Sequence, residues 1–260
     1  MRWFALPLAL ALVFLVLPVL AIFLDSPPGE LLDALGEPGA LDALWLSLRT
    51  SVTALAIIVV VGTPAAYLLA TRRFRGRALL ITLIELPLVL PPAVAGIALL
   101  AALGPSGILG GALEDAGIQL TFETAGVVVA LTFVASPYYL RQAQASFGAL
   151  DRSWLDASRT LGASPARTFA RIAIPTAAPG LVTGGALAFG RALGEFGATL
   201  MFAGSLAGIT QTAPLAIYER FGTDFTGALA LSAVLVAVSL ALLLTVKLLH
   251  AGDLRPIAAD

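Results

Sequence analysis

Apolar runs at or beyond the length needed to cross a bilayer, about 20 residues, recur down this chain at roughly 3–24, 43–70, 79–103, 123–147, 176–203 and 227–249. No soluble core can absorb six such runs from a chain of 260 residues, of which 59% are hydrophobic and only 12% charged. The expected fold is therefore an all-α integral membrane protein with six transmembrane helices in one domain. The first run follows Arg2 as a signal peptide would, yet it is longer than the usual apolar core of about 7–15 residues and no clean A-x-A site follows. It is read as a retained span.

Charge orients the bundle. Arg2, Arg72, Arg73, Arg75, Arg77, Arg141, Arg152, Arg159, Arg167, Arg171, Lys247 and Arg255 all fall on one side of a six-span topology. The positive-inside rule assigns that side to the cytoplasm, and with it both termini. Asp25, Glu30, Asp33, Glu37, Asp42, Glu114, Asp115, Glu123, Glu219 and Asp224 fall on the other, against Arg49 and Arg220. The arginine cluster at 72–77 is explained by this topology, so nucleic acid is not an expected partner.

Several chemistries are excluded by inventory. The chain has no cysteine and one histidine, His250, so it offers no thiol nucleophile, no disulfide and no histidine cluster for a metal. No GxxxxGK[ST] phosphate loop occurs, and Lys247 is the sole lysine. Hydrolysis of ATP by that route is excluded, and serines without a neighbouring base give no credible intramembrane hydrolase. An ion-coupled carrier would need coupling acids near the midplane and repeated halves. Only Glu195 and Glu85 are available, and no internal repeat is visible.

The longest stretch combining charge with order is "DASRTLGASPARTFARIAIP", residues 156–175, within the cytoplasmic loop 148–175. Asp151 is a good N-cap, and Leu150, Trp154, Ala157 and Leu161 follow at i, i+4, i+7 and i+11 as one apolar stripe. Gly162 is placed to end that helix in a left-handed turn. Ser164 and Pro165 then form an N-cap and N1 pair for a short second helix carrying Arg167 and Arg171, before Pro175 opens the fifth span. A short amphipathic helix with Trp154 on its apolar side calls for a partner surface, and the residues alone leave open whether that is lipid headgroups or protein.

Asp156-Ala157-Ser158, then Gly162, then Ile172-x-Ile174-Pro175 after nine residues, resembles the EAA loop of ABC-transporter permeases. Asp156 stands for Glu, Ser158 for the second Ala and Ile174 for Leu. The resemblance implies a type I importer permease fold. It also implies that Trp154, Asp156, Ala157, Leu161 and Gly162 couple the chain to a separate ATPase subunit, which binds the ATP and Mg while this chain holds no cofactor. The runs "ELPLVLPPAVAGIALL" (85–100), "GRALGEFGATLMFAG" (190–204) and "TQTAPLAIY" (210–218) resemble the molybdate permeases, with sulfate and tungstate permeases close behind. This implies a homodimer in a prokaryotic cytoplasmic membrane that passes an oxyanion delivered by an extracytoplasmic binding protein docking on the outer loops, 104–122 and 203–227.

Within the fifth span Arg191 and Glu195 lie on one helical face, where an unpaired charge costs ~2.5–3.5 kcal/mol on insertion scales. Arg before Glu is the less favourable order for an i, i+4 pair, so a partner on another helix or subunit is expected. Two roles stay open: a structural ion pair, or a path and gate in which Arg191 favours the anion, Glu195 holds the gate and Thr199 belongs to the same run. Gly190, Gly194 and Gly197 recur at i, i+4 and i+7 and predict close helix approach. Pro87, Pro91 and Pro92 remove N–H donors from the third span, so a broken helix lining the path is expected. Ser136-Pro137 predicts a similar break in the fourth span, and Glu85 is assigned no role.

Overall fold

The computed structural model describes residues 2–24 and 28–253 of the chain; Asp25 and Arg255 of the charge pattern lie outside them. Thirteen α-helices and one π-helical turn, Phe169–Ala173, account for the described secondary structure. The α-helices are α1 (Arg2–Leu24), α2 (Pro28–Leu35), α3 (Ala40–Thr71), α4 (Arg77–Val89), α5 (Pro92–Leu103), α6 (Gly110–Asp115), α7 (Thr124–Gly148), α8 (Arg152–Thr160), α9 (Pro165–Thr168), α10 (Ile174–Leu193), α11 (Gly197–Ala203), α12 (Ala213–Arg220) and α13 (Phe225–Asp253).

Among the described residues four stretches are long and apolar enough to cross a membrane: Leu6–Leu24, Ala40–Thr71, Pro165–Leu193 and Phe225–Thr245. A fifth is the pair α4 and α5, bent by 119°. The remaining run of the sequence reading is α7, whose 25 residues reach about 37 Å. It carries Thr132, Ser136, Arg141, Gln142 and Gln144 because it is the hub of the bundle, wrapped by α3, α10, α11 and α4. A helix enclosed by protein does not need an apolar outer surface. Conversely α1 is apolar all round and has no buried side chain from Leu6 to Leu24, as a lipid-facing helix should.

Small residues set the spacing at the hub. A methyl group added at Gly62 of α3 would stand 3.1 Å from the Tyr139 ring, and one at Gly180 of α10 would lie 1.8 Å from Ser146 Oγ. Backbones therefore approach as closely as their side chains permit. Buried Thr63 and Tyr139 share a hydrogen bond of 2.6 Å across the α3–α7 seam, and Tyr139 belongs to a core cluster with Ala54, Ile58, Leu131 and Ala135, while Ala130 and Val134 pack in a second cluster with Ala95, Leu99, Ala198 and Phe202.

Three proline expectations meet different outcomes. The third span does break: Leu90, extended at φ −70° and ψ 133°, precedes Pro91, and Pro92 begins α5. The fourth span does not. Pro137 is buried within a continuous α7, and Ser136 Oγ donates to the Phe133 carbonyl at 3.3 Å, the acceptor left without a donor by Pro137. Nor does Pro175 separate a short helix from the fifth span. From Pro165 to Leu193 the helix is unbroken, because the wide turn Phe169–Ala173 lets Ile174 N–H reach the Phe169 carbonyl five residues back.

The fifth span is interrupted where none is expected. Gly194 ends α10, Phe196 adopts φ −126° and ψ −57°, and α11 restarts at Gly197. Two glycines within four residues weaken the helix locally, and the Glu195 carboxylate supplies a cap for the restart.

Candidate coupling hairpin and broken-span site

The loop 151–168 is a built structure. Asp151 Oδ1 accepts from Ser153 N–H at 2.9 Å, Gly162 takes φ +78°, and Ser164 Oγ accepts from Arg167 N–H at 3.3 Å. Hydrogen bonding to Ser153, chiefly from its backbone N–H, holds the Asp151 carboxyl below its usual range. Caps, turn and second start thus fall where the sequence puts them. The helix faces need correction: toward the bundle α8 buries Leu155 and Ser158, neither of them on the predicted stripe. Trp154 is 53% and Leu161 88% exposed, and Asp156, Ala157 and Gly162 are exposed beside them. Asp156 pairs with Arg159 at 3.2 Å on that outer surface.

Ser158 explains its own departure from the small apolar residue of the motif. Its hydroxyl donates to the Leu155 carbonyl at 2.8 Å and meets the Thr168 hydroxyl at 2.8 Å, both side chains being buried. That bond ties the two arms of the hairpin together. Beneath it lies an aromatic cluster with no sequence signal beyond composition. Tyr67 of α3 stacks edge-on to Phe147 of α7 at 5.3 Å and packs against Phe169 of the wide turn at 4.8 Å. The cluster thus joins α3, α7 and the wide turn that leads into α10 at the foot of the hairpin.

At the break in the fifth span, Arg191 Nη2 lies 2.5 Å from Glu195 Oε2, and the Glu195 side chain is 1% exposed. Glu195 Oε1 accepts from Ala198 N–H at 2.7 Å. The expected partner on another helix is thus replaced by an intra-span pair. Helical ordering does not govern it, since Glu195 sits beyond the end of α10. Thr199 is fully buried one turn on, and its hydroxyl has no hydrogen-bond partner among the described residues.

The glycine prediction is only partly met. Gly190 faces the Leu242 side chain at an ordinary 3.8 Å, and a methyl at Gly194 would meet only the Gly190 carbonyl, at 3.6 Å. Gly197 alone makes a close approach, 2.8 Å from Pro92 Cβ for an added methyl. Its counterpart, missed in the sequence, is Gly96, where an added methyl would meet the Ala198 carbonyl oxygen and Met201 Cβ at 2.6 Å. Pro91 and Pro92 therefore sit at the bend that touches the break of the fifth span, whereas Pro87 is an interior residue of α4.

On the opposite face of the bundle Arg220 gathers the loops. It donates to the Pro38 carbonyl at 3.0 Å and lies near Asp224 at 3.7 Å and Glu37 at 3.8 Å. Gln211 bonds Glu219, and Thr124 Oγ1 donates to the Ile209 carbonyl at 2.8 Å.

This combination of an apolar helical bundle, two broken spans and a rigid capped hairpin between membrane helices defines a membrane transport subunit. Residues 60–252 match the family described as the binding-protein-dependent transport system inner membrane component, and the chain belongs to that family. It is 42% identical over 259 residues to the molybdenum transport system permease protein ModB of Mycobacterium tuberculosis, covering 100% of this chain and 96% of the relative. It is 33% identical over 255 residues to the sulfate transport system permease protein CysT of Escherichia coli, covering 95% and 92%. Among solved structures, a bacterial ABC transporter involved in the import of the acidic polysaccharide alginate superposes with a TM-score of 0.75 at 16% identity, over 99% of this chain and 95% of that one.

Proposed function

We propose that the chain is the membrane-spanning subunit of an ATP-driven importer for an oxyanion, and that the oxyanion is molybdate. The observation that carries the substrate is the 42% identity, end to end, with a molybdenum permease. The exposed Trp154–Leu161 face supports the ATPase subunit as the hairpin's partner: an apolar surface outside the membrane, on a rigid element tied to three membrane helices, suits docking. On this reading both termini and the hairpin are cytoplasmic, ATP and Mg are held by the partner, and a binding protein delivers the anion to the opposite loops. The pathway forms between two copies of the chain.

Mechanistically, closure of the ATPase subunits on ATP draws the two hairpins together. The Ser158–Thr168 bond and the Tyr67–Phe147–Phe169 cluster carry that movement into α3, α7 and α10. The joined breaks of spans three and five then shift as one body, with Arg191 offering positive charge to the anion and Glu195 keeping the restart of α11 in place. The test is uptake into liposomes holding this chain, its ATPase and its binding protein, with labelled molybdate competed by unlabelled tungstate and sulfate. Molybdate uptake resistant to excess sulfate is expected. Equal competition by sulfate would assign the sulfate class instead.

A further inference from the structure

Phe122 is the one non-glycine residue with positive φ among those described, at +61°. It stands third in a turn closed by Glu123 N–H donating to the Leu120 carbonyl at 3.4 Å, a place where glycine is favoured and a bulky side chain is strained. The turn leads into α7, whose 25 residues put it about 37 Å from the end that runs on to the hairpin. Strain of this kind persists only where the surroundings hold it, and it clusters at ligand-binding sites. Here it brings a phenyl ring to the surface, 59% exposed.

Two loops hold the ring there. Gly204, itself at φ +74°, leaves room for it: a methyl added at Gly204 would stand 2.9 Å from Phe122 Cδ1. The bond from Thr124 Oγ1 to the Ile209 carbonyl fastens the same two loops, and in the second loop Leu206 and Ile209 are exposed as well. Leu120 and Thr121, which lead into Phe122, line a cavity of about 370 Å³ walled by Leu103 and Leu113 and carrying Glu114 and Gln119.

Charge around the ring is one-sided. Residues 104–123 hold three acids, Glu114, Asp115 and Glu123, and no base, while the loop 203–212 is uncharged. All three acids are exposed, and none has an ion-pair partner among the described residues. Such a surface repels a free oxyanion, so the transported anion is not its ligand. An exposed aromatic anchor, a neighbouring cavity with apolar walls and an unneutralised acidic rim fit a protein that presents arginine or lysine among apolar side chains.

We propose that Phe122 and the cavity beside its turn form the docking anchor for the protein that delivers the anion, and that this partner meets it with a basic, partly apolar surface. The inference rests on the reading of the chain as a permease fed by such a binding protein. A partner cation over the ring is balanced by Glu123, the next residue, and one entering the cavity by Glu114. The acidic rim speeds encounter, so docking weakens as salt rises.

The test measures binding of the purified binding protein to the complete complex in nanodiscs across a salt series, beside the melting temperature of each variant. Phe122→Gly removes the ring and relieves the turn, so binding is expected to weaken at least tenfold with no fall in melting temperature. Phe122→Tyr keeps the ring and is expected to bind within threefold of wild type. Glu114→Gln combined with Glu123→Gln is expected to slow association at least threefold at low salt and to flatten its salt dependence. Wild-type affinity in Phe122→Gly would overturn the anchor, and a lowered melting temperature would reduce the ring to a packing residue. Wild-type association by the doubly neutral variant would overturn the acidic rim. Separation of the Phe122→Gly complex into single copies of the chain would give the surface to the second copy instead. A wild-type complex that neither binds the protein nor takes up an oxyanion with ATP present would sink the permease reading, and the anchor with it.

Discussion

Gly197 and Pro92 touch at the point where two membrane spans break: a methyl group added at 197 would stand 2.8 Å from Pro92 Cβ and 3.2 Å from the Ala93 nitrogen. The same α5–α11 seam is closed from the other helix by Gly96. Two half-helices packed backbone to backbone have little freedom to slide independently, so the two breaks pack as one unit.

Substitution at that seam is therefore expected to be selective. Gly197→Ala must displace Pro92 or the backbone of α5, an overpacking cost of about 1–3 kcal/mol. Gly190→Ala, facing only Leu242 at 3.8 Å, should be neutral or slightly stabilising, since alanine favours helix. Thermal unfolding of the two variants in detergent checks the contrast; equal melting temperatures would contradict the seam.

At the ion pair, Arg191→Ala strands the buried Glu195 carboxylate and is expected to cost about 3–5 kcal/mol. Combining Arg191→Met with Glu195→Gln removes both charges while leaving an amide oxygen to accept from Ala198 N–H, so folding should recover. Oxyanion uptake should not recover if Arg191 serves the anion. A double variant with wild-type stability and wild-type uptake would make the pair purely structural.

The hairpin separates docking from folding. Trp154→Asp changes an outward side chain and is expected to leave insertion and melting temperature unchanged while abolishing co-purification of the ATPase. Ser158→Ala removes the bond to Thr168 and should lower stability by about 1 kcal/mol, with the ATPase still bound. Undiminished co-purification with Trp154→Asp would remove the docking surface from that face.

Acid should loosen the start of α8. The Asp151 pKa is depressed in the folded chain, so its capping contribution is fully present above the unfolded value, about 3.9, and is lost as pH falls through the lower folded value. Amide exchange at Ser153 is expected to stay protected at neutral pH and to accelerate only in strong acid. In Asp151→Asn, whose amide oxygen also caps but does not titrate, that acceleration should disappear.

Legibility in the sequence followed the range of the forces involved. The caps at Asp151 and Ser164 and the left-handed turn at Gly162 are local and were readable, because each depends on residues within a turn or two. The break at Gly194–Phe196 was not, since apolar content continues through it and only the Glu195 carboxylate, bonded to Ala198, marks the restart. Pro137 misled for the converse reason: the neighbouring Ser136 hydroxyl serves the carbonyl that the proline leaves free. The partners of Gly96, Gly197 and Ser158 are set by tertiary packing and leave no periodic trace. The inward face of α8 was misassigned because Ser158, polar by type, is buried through its bond to Thr168.

The most direct measurement is labelled molybdate uptake into liposomes carrying the complete complex, compared with the same liposomes lacking the ATPase subunit. Concentrative uptake that requires both ATP and that subunit is the predicted result. Uptake that persists without the ATPase subunit would contradict the account and identify the chain as a self-sufficient carrier.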